Sequence, residues 1–572
     1  MPLEKSCRQC KNRFVIEDDE LKFFSKISPR FSNKTFEIPP PTLCPVCREI
    51  HRLIRRNERH LYSRKCDLCS KRVVSMYSTG KPFPVFCQEC WWGGKWNAKD
   101  YGAKYESGSF FEQFKKLYNK VPKVCASIIK STNCDFNTFL VDSKNCYMTT
   151  SSRGENCLYC RKVVDCRDVV DLLNSNECEN CYETINCHNC YDCNFANFCE
   201  NCSNSMFLFA CKGCHNCFMS SNLNNKNFYF YNQPLPKEEY LKKVSELWNG
   251  SYKSLEKLKA EYLELIKGAT HKENTNRRSE NCLGNDLTNC KNCRDCFEIK
   301  DGENCIYVYD SKGITPRDSM DCDMGAGAEL CYQLLSGYVA YRCMFGAINY
   351  TSKDLLYCCD CYDSDFLFGC AGMKNRKYFV LNSEYSKEDY EELVSRIIAD
   401  MIENKEWGEY FPLGDSTFAY NEALVSIYFP KTKQEAQKIG ANWLNDHKAK
   451  YKGPFYEPCD SISDYKKFSL KRDELLRSVI RCQTSGRPFR IIPRELSYYM
   501  ANNIPIPREH PEARFKRRFS LLNPRQLWER DCMCEGECLR HSGECKTRFK
   551  TTYAPERPEK VFCDNCYIYT FR

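Results

Sequence analysis

Cysteine pairs separated by two residues recur near both ends of this 572-residue chain, which contains 44 cysteines. A Cys-x-x-Cys turn presents two thiolates to one metal ion, and two such turns complete the tetrahedral shell of a structural zinc site. Sequential pairing of the four N-terminal turns therefore predicts two sites. Their ligands are Cys7, Cys10, Cys44 and Cys47 for the first site, and Cys66, Cys69, Cys87 and Cys90 for the second. Interleaved pairing of the turns and apolar burial of some of these cysteines are the alternatives.

The C-terminal region repeats the N-terminal one. NERHLYSRKC, from residue 57, aligns with NPRQLWERDC, from residue 523, and VFCQEC aligns with VFCDNC. Three of the four cysteines of the first site are replaced in this copy, by Ser485, His510 and Ala513, so the first zinc shell cannot form there. The second shell is retained, and its predicted ligands are Cys532, Cys545, Cys563 and Cys566. The sequence thus predicts three structural Zn²⁺ ions per chain.

A ten-residue insertion, MCEGECLRHS at residues 533–542, separates Cys532 from the other three ligands of the C-terminal site. The insertion contributes Cys534, Cys538 and His541, which are zinc-ligand residue types. Two interpretations stay open: an inserted residue replaces Cys532 in the predicted shell, or the inserted residues bind a further metal ion.

The cysteines in the middle of the chain follow a period of three. All thirteen cysteines between residues 157 and 217 lie at positions that differ by multiples of three, whereas an α-helix repeats every 3.6 residues and a strand every two. A twelve-residue coil with one inward position in every three residues accounts for this period. Coils stacked at about 4.8 Å would enclose a narrow core that admits only small side chains. The pattern returns at residues 322–370, with an insertion at 306–320 that is expected to break the stack.

The predicted fold class is therefore mainly β, with two small β-solenoid units that carry helical caps and are flanked by zinc-ribbon modules. Small residues replace many cysteines in the second solenoid, which indicates that a buried thiol serves as a small apolar side chain; metal binding and disulfides are the alternatives. Tyr182 and Tyr191, each next to an inward cysteine, are expected on an outer face, as a solvated ladder or as a stacking surface for bases.

Eight segments follow from these patterns. They are a double zinc ribbon at 1–100, a linker with a helix at 101–133, the first β-solenoid at 134–235, a helical hairpin cap at 236–270, the second β-solenoid at 280–382, a capping helix at 383–405, a mixed connector at 406–475, and a degenerate zinc-ribbon copy with one zinc site at 476–572. The helices that follow the solenoids are expected to cover open sheet edges, and a role as interaction helices is the alternative.

The net charge of +10 is concentrated at the two ends of the chain, which carry +8 over residues 1–72 and +10 over residues 465–572, whereas the middle carries −8. Basic clusters attract phosphate backbones, although a solvated basic surface is the simpler explanation. The arginine and lysine residues predicted to contact nucleic acid are Arg55, Arg56, Arg59, Arg64, Arg514, Lys516, Arg517 and Arg518.

CRQCKNRFVIEDDELKFF followed by PPTLCPVCREIHRL resembles the probable zinc-ribbon family in its paired cysteine turns and their spacer. RRNERHLYSRKCDLC, AYNEALVSIYFPKTKQEA and TTYAPERPEKVFCDNCY extend the resemblance, over almost the whole chain, to a family of long, uncharacterised cysteine-rich proteins. The resemblance implies zinc binding and implies no particular activity. The insertion MCEGECLRHS departs from the compact turn of the family.

The predicted function is a non-enzymatic zinc-binding scaffold whose basic terminal modules bind nucleic acid or a ribonucleoprotein. The alternative is a structural or assembly protein that makes only protein–protein contacts through zinc ribbons docked on the solenoids. A metal-dependent enzyme is remote, because the eight histidines form no HExxH motif and a four-cysteine zinc shell leaves no position for water. No small-molecule substrate is indicated.

The stretch MPLEKSCRQC lacks the apolar core of a signal peptide, and no apolar run approaches the roughly 18 residues that span a bilayer. The sequence therefore predicts a cytoplasmic protein without membrane contact. Because thiols stay reduced in the cytosol, this location favours zinc ligands over disulfides.

Overall fold

The computed structural model describes residues 1–134, 136–152, 154–163, 170, 179–311, 315–323, 329–336, 342, 344–445, 451–538 and 540–571. The chain divides into two compact units. The first unit contains Met1–Ser127 and Asn276–Asn445, and the second contains Ile128–Thr275 and Asp446–Arg572. Each unit thus combines one terminal module with one cysteine-rich middle segment, and the N-terminal module belongs with the second middle segment rather than with the first.

The first unit begins with short hairpins and helices and continues into a parallel ladder. Its strands are Leu3–Ser6, Arg13–Ile16, Arg30–Phe31, Lys34–Thr35, Tyr62–Lys65, Arg72–Ser75, Val85–Phe86, Lys123–Val124, Leu283–Thr288, Arg294–Lys300, Tyr309–Ser311, Lys353–Leu356, Asp365–Phe368, Lys377–Val380 and Ser383–Glu384. Its α-helices are Asp18–Ile27, Pro45–Leu53, Gln88–Trp92, Phe110–Lys120, Lys387–Glu403, Val425–Tyr428 and Lys433–Lys438, with 3₁₀ turns at Ala98–Tyr101 and Leu413–Asp415.

The second unit begins with the other ladder and ends with the C-terminal module. Its strands are Ser127–Ile129, Phe139–Val141, Thr150–Ser152, Arg161–Val163, Tyr191–Asn197, Ser203–Phe209, Phe218–Ser221, Tyr229–Phe230, Gln233–Pro234, Thr270–Lys272, Ile480–Arg481, Pro488–Phe489, Trp528–Asp531, Arg548–Thr551 and Lys560–Phe562. Its helices are Lys237–Leu247, Tyr252–Gly268, Ser463–Lys467, Ser469–Arg477, Pro493–Ala501, Pro511–Phe519 and Asp564–Thr570.

In each cysteine-rich middle segment, neighbouring strands pair in parallel at a nearly constant offset, apart from the antiparallel pair that ends the segment. Tyr191 pairs with Ser203, and Ser203 pairs with His215, so the offset is twelve residues. We call the described residues within 128–234 the first ladder and those within 277–384 the second ladder. Met320, Tyr332, Met344 and Leu356 pair successively at the same offset in the second ladder. The twelve-residue pairing confirms the period read from the cysteines.

The backbone enters the left-handed region at every third residue from Asn180 to Tyr231 and from Phe345 to Leu381. In the first ladder φ is 50° at Asn180, 48° at Asn186 and 50° at Asn189, and each of these residues precedes an inward cysteine. Asparagine tolerates positive φ better than most residues with a side chain. Each such residue turns the chain after a short extended step, which explains why the pattern repeats every three residues.

The inward positions of the first ladder are fully buried. Cys181, Cys187, Cys193 and Cys199 each expose 0% of their surface, as do Thr184, Ser205 and Leu208. Cys181 and Cys187 direct their thiol groups toward the backbone carbonyl two residues earlier and toward the carbonyl nine residues later in the next turn. These thiols therefore fill the interior as small side chains whose weak donors are satisfied by the backbone.

The structure corrects two sequence-based predictions and leaves a third unconfirmed. A mainly β fold is not confirmed for the whole chain, because 26% of it is helical and 26% is strand. The insertion at 306–320 does not end the second ladder, since Ile306 pairs with Met320 across a fourteen-residue step. Tyr182 exposes 1% of its surface and packs against Tyr499, whereas Tyr191 exposes 50%, so only Tyr191 lies outward.

The helices that follow the ladders occupy the segments in which helices were predicted. Tyr252–Gly268 packs along the side of the first ladder, where the Tyr262 hydroxyl donates a 2.6 Å hydrogen bond to the Leu208 carbonyl. Lys387–Glu403 buries Tyr390, Val394 and Ile397. In the part of the chain that the structure describes, none of the helices has the length and apolar character needed to cross a bilayer.

Candidate metal centres

The predicted N-terminal ligands form two sets of four sulfurs in the first unit. In each set, all four Sγ atoms lie within 4.8 Å of one another. The first set is Cys7, Cys10, Cys44 and Cys47, and the second is Cys66, Cys69, Cys87 and Cys90. The structure thus brings together the residues of the sequential pairing and not those of an interleaved one.

The separation of the sulfurs fits a tetrahedral metal shell. With metal–sulfur bonds of about 2.3 Å, the edge of a tetrahedron of four thiolates measures about 3.8 Å. Cys10 Sγ lies 3.7 Å from Cys44 Sγ, and Cys69 Sγ lies 3.8 Å from Cys87 Sγ. A disulfide would place two sulfurs about 2.05 Å apart, and all the cysteines that the structure describes are free thiols. The residues present therefore fit an ion.

Each site is held by a hairpin and the first turn of a helix. Cys7 and Cys10 lie in the turn between strands Leu3–Ser6 and Arg13–Ile16, whereas Cys44 is the N-cap of helix Pro45–Leu53. Cys87 likewise caps helix Gln88–Trp92. The backbone N–H of Cys87 donates to Cys66 Sγ at 3.2 Å. Such N–H···S contacts orient the sulfurs and favour the thiolate form.

One thiol in each of the two N-terminal sets has a lowered pKa. Hydrogen bonding with the Cys47 thiol lowers the pKa of Cys44 to about 5. Burial raises the pKa of Cys66, but the backbone N–H groups of Cys69 and Cys87 outweigh this effect and lower the pKa to about 7. A thiol must lose its proton to bind a metal ion, so a lowered pKa favours binding near neutral pH.

The C-terminal module contains two overlapping sets of ligands. The predicted set, Cys532, Cys545, Cys563 and Cys566, meets the same 4.8 Å criterion. A second set meets it as well and consists of Cys534, Cys538, His541 and Cys566. The inserted residues therefore do not displace Cys532 but form a further group that shares Cys566 with the predicted one.

The degenerate first site of the C-terminal copy has a different local structure. His510, at the position of Cys44, is the N-cap of helix Pro511–Phe519, and its Nδ1 accepts a 3.0 Å hydrogen bond from the Glu512 N–H. Cys482, the one retained cysteine, accepts from the Ser485 N–H at 3.4 Å. A side-chain cap thus begins this helix where a metal ligand begins its N-terminal counterpart.

Buried ion pairs connect the N-terminal module to the second ladder within the first unit. Helix Pro45–Leu53 carries Arg48 and Arg52 one turn apart. Arg48 Nε donates to Asp321 at 2.6 Å, and Arg52 Nε donates to Asp323 at 2.6 Å. All four side chains expose 1% or less of their surface. Charges this deeply buried are retained only where an opposite charge satisfies them.

The same kind of contact recurs in the second unit. Arg514, on helix Pro511–Phe519, contacts Glu495 at 3.2 Å and lies over the ring of Tyr159 in the first ladder, 5.1 Å from its centroid. The Tyr159 hydroxyl donates to Glu495 at 2.9 Å. In the first unit Arg48 lies 5.2 Å from the ring centroid of Tyr307. There the Tyr307 hydroxyl contacts the Glu20 carboxylate at 3.4 Å.

A second acidic residue of the first ladder, Glu183, also pairs with helix Pro511–Phe519. Arg517 contacts both carboxylate oxygens of Glu183 at 2.8 Å, and Arg518 lies 3.9 Å from one of them. Burial raises the pKa of Glu183, but the charges of Arg517, Lys259 and Arg518 outweigh burial and hold the pKa well below its usual range. Glu183 is therefore ionised at neutral pH.

The structure buries four of the eight basic residues that were predicted to contact nucleic acid. Arg55, Arg56, Arg514 and Arg518 expose between 1% and 6% of their surface. Arg55 donates to the Pro412 carbonyl, and Arg56 donates to Glu58 and Ser336. These four side chains therefore serve contacts within their own units.

The remaining predicted residues are more accessible. Arg64 contacts Asp67 at 2.8 Å with 8% of its side chain exposed. Arg517 keeps 33% exposure, Arg59 is half-buried, and Lys516 exposes 68% of its side chain. Lys516 is thus the one fully exposed member of the predicted set.

The acidic partners Asp321, Asp323 and Glu183 were not predicted from the sequence. Two signals were present: the arginines recur at i and i+4 or i+3 next to the cysteine turns, and the acidic residues lie within an otherwise small or apolar repeat. Asp321 and Glu183 also adopt positive φ, of 60° and 49°. Periodicity alone could not show which residues of the chain would face which arginine.

The chain was also compared with known proteins. No protein-family model and no curated protein matches the sequence, and its sites are therefore interpreted from their own geometry.

Proposed function

We propose that the protein is a non-enzymatic, zinc-stabilised scaffold in which each terminal module is docked on the β-solenoid of its own unit. The observation that carries this proposal is the recurrence of the buried arginine–tyrosine–glutamate contact in both units. Arg48, Tyr307 and Glu20 form it in the first unit, and Arg514, Tyr159 and Glu495 form it in the second.

The contact is retained where the neighbouring metal site is lost. In the N-terminal module, Cys44 and Cys47 lie at the start of the helix that carries Arg48. A bound ion would therefore fix the start of that helix and orient the Arg48 side chain toward the second ladder. In the C-terminal module, His510 caps the helix instead, and Arg514 is still buried with 1% exposure. The two copies thus share docking. The docking helix begins at metal ligands in the N-terminal module and at a side-chain cap in the C-terminal module.

The ladders have the properties expected of stacked coils. The proposal of a chain wound around a narrow core is supported by parallel pairing at twelve residues, stretches with positive φ at every third residue, and fully buried small side chains. Such a coil leaves unpaired backbone groups at its ends and apolar or charged groups along its sides. A module docked on its side would protect part of that surface.

Zn²⁺ is the ion that the sites favour. Three sets contain four cysteines each, and tetrahedral thiolate shells of this kind are typical of structural zinc. Because all four positions are taken by protein ligands, no site remains for a water molecule that could act as a nucleophile. This geometry supports a structural role for the ions.

The test of docking compares two substitutions on the same helix. Arg514→Met removes a buried cation beside Glu495, whereas Lys516→Met, the control, removes an exposed one. We expect Arg514→Met to increase hydrogen exchange in the first ladder, around residues 191–209, without reducing the zinc content. Equal exchange in the two variants would contradict docking as the basis of the scaffold.

Binding of nucleic acid or a ribonucleoprotein by the modules is a second candidate, supported by the net charge of +10 and by the exposure of Lys516. The burial of four of the predicted arginines leaves less basic surface than the sequence suggested. If this candidate is correct, RNA or DNA affinity falls steeply between 50 and 200 mM salt, by roughly a factor of ten or more. Salt-independent binding, or none at low salt, favours the purely structural alternative with protein partners.

A further inference from the structure

We propose that the C-terminal module holds two zinc ions that share the Cys566 thiolate, so that the chain binds four ions rather than three. The two ligand sets that overlap at Cys566 carry this inference. It deepens the proposed zinc scaffold and rests on it, because a binuclear centre requires that the module bind zinc at all.

The number of donors matches two shells with one common corner. The C-terminal module brings together seven donors, namely Cys532, Cys534, Cys538, His541, Cys545, Cys563 and Cys566. Two separate tetrahedral ions would need eight donors, and a single ion would need only four. Seven donors complete two tetrahedral shells only when one ligand bridges both ions, and Cys566 is the residue that belongs to both sets.

The distances around His541 fit a metal shell. With metal–sulfur bonds of about 2.3 Å and metal–nitrogen bonds of about 2.05 Å, the sulfur–nitrogen edge of a tetrahedron is about 3.6 Å. His541 Nε2 lies 3.3 Å from Cys538 Sγ and 3.3 Å from Cys566 Sγ. The imidazole therefore meets two sulfurs of its set at close to the required spacing.

The Nδ1 atom of His541 makes a backbone hydrogen bond that leaves Nε2 available as a metal ligand. Nδ1 lies 2.9 Å from the Gly543 carbonyl oxygen, which can only accept a hydrogen bond. The proton is accordingly on Nδ1, and the Nε2 lone pair is directed into the cysteine set. A backbone carbonyl that holds the second nitrogen of a histidine is the usual outer contact of a zinc-bound imidazole.

The insertion is also anchored at its base. The Cys545 N–H donates to the Cys534 carbonyl at 2.8 Å, which closes the loop between the two cysteines. Cys534 and Cys538 each expose 1% of their surface. Thiols held together at this burial, next to an oriented imidazole, form a more organised site than a flexible surface loop would provide.

Cys90 in the N-terminal module provides a comparison for the proposed bridging ligand Cys566. Cys90 stands in the N-terminal module where Cys566 stands in the C-terminal one, but it belongs to a single set, because the N-terminal copy lacks the insertion. Cys90 should therefore serve one ion and Cys566 two. Two Zn²⁺ ions with six thiolates and one neutral imidazole carry a net charge of −2, the same charge as one Zn²⁺ with four thiolates.

The first experiment counts zinc in the purified full-length protein after dialysis against a weak chelator. We expect four zinc ions per chain in the natural protein, three in His541→Ala and four again in His541→Cys, because a thiolate can replace the imidazole. Three ions in the natural protein, unchanged by His541→Ala, would overturn the inference and leave the scaffold proposal intact. Loss of all zinc binding would instead contradict the scaffold proposal.

The second experiment tests whether Cys566 is shared. In protein reconstituted with ¹¹³Cd²⁺, two resonances should show a ¹¹³Cd–¹¹³Cd coupling through the bridging sulfur, and His541→Ala should abolish this coupling. Cys566→Ser should reduce the ion content by two per chain, whereas Cys90→Ser should reduce it by one. Four uncoupled resonances in the natural protein would show four separate sites and overturn the shared ligand, and this spectrum does not require that any variant fold.

Discussion

Cysteine has two roles in this protein, and the contacts of the sulfur atom distinguish them. In the candidate metal centres each sulfur faces other sulfurs or an imidazole, at distances such as 3.3 Å and 3.7 Å. In the ladders the sulfur contacts backbone carbonyls as well as neighbouring thiols, as Cys202 does with the Glu200 carbonyl at 3.4 Å and the Cys211 carbonyl at 3.5 Å. Four donors gathered around one point can bind a metal ion, whereas no ladder cysteine in the described part of the chain belongs to such a set.

Substitution of a ladder cysteine should affect packing and leave metal content unchanged. Cys199 exposes 0% of its surface, so Cys199→Ala should create a small cavity and lower the free energy of unfolding by about 1–2 kcal/mol. Thermal unfolding and zinc analysis check this expectation. Cys87→Ala, the control in a metal set, should remove one zinc ion per chain. A loss of zinc in Cys199→Ala would assign the ladder sulfurs to metal binding.

The buried arginines should be more sensitive than exposed ones. Arg52→Met leaves the Asp323 carboxylate buried without its cation, and breaking such a pair costs about 3–5 kcal/mol. Arg13→Ala, the control, removes a pair with Glu4 in which both side chains are more than half exposed. Chemical unfolding of the first unit measures both effects. Similar unfolding midpoints for the two variants would show that the buried pair does not hold the module.

At the scale of elements, the three-residue step of the ladders depends on one backbone conformation. Asn189 has φ of 50°, and its side chain donates to Asn201 of the next turn at 3.2 Å. Gly213, with φ of 60°, occupies the equivalent position two turns later. At these two positions the step uses residues that accept the left-handed region, and Asn189 adds an amide contact between turns, whereas Phe195 and Ile348 adopt the same region with bulky side chains.

A β-branched residue at this position should weaken the ladder. Asn189→Val places a branched side chain at positive φ, where an ordinary L-residue loses about 1–2 kcal/mol, whereas Asn189→Gly relieves the backbone and loses only the amide contact. We expect a lower unfolding temperature for the valine variant than for the glycine variant. The reverse order would mean that the amide contact, rather than the backbone angle, stabilises the step.

Across the full chain, each compact unit combines a module and a ladder that come from two separate stretches of the sequence. The first unit joins residues 1–127 with residues 276–445, and the second joins residues 128–275 with residues 446–572. Each unit contains a ladder and a module, but the module precedes the ladder in one unit and follows it in the other. The chain consequently passes from one unit to the other three times.

The stability of the second unit should depend on acid through Glu183. Because its pKa in the folded protein lies below the usual value of about 4.3, its ion pairs with Arg517 and Arg518 stabilise the unit above that pH. This stabilisation is lost as the pH falls through and below about 4.3. Glu183→Gln should remove this part of the pH dependence, as measured by the difference in unfolding temperature from the natural protein between pH 6 and pH 4.

Zinc release at low pH affects both proteins in this comparison and does not alter their difference. Glu264→Gln, which changes a carboxylate with 72% of its side chain exposed, is the control and should follow the natural protein. A constant difference between Glu183→Gln and the natural protein across this pH range would show that the Glu183 pairs do not contribute to acid sensitivity.

Turn spacing and side-chain periodicity are local properties of the chain, so the amino-acid sequence was enough to predict the three tetracysteine sets, the twelve-residue period and the inward cysteines. It also revealed the two copies, since aligned motifs require no structure. It did not identify the acidic partners of the arginines. The basic clusters were predicted to form an exposed surface, whereas the structure pairs Arg48 with Asp321, 273 residues away.

Three features became evident from the folded structure: which module belongs with which ladder, the overlap of the inserted residues with the retained set at Cys566, and the burial of Tyr182. Each of these outcomes depends on contacts between distant residues, and a periodic pattern specifies only which residues share a face. Burial of particular ion pairs and aromatic rings stabilises one set of long-range contacts over the others, and these groups meet only when the elements pack.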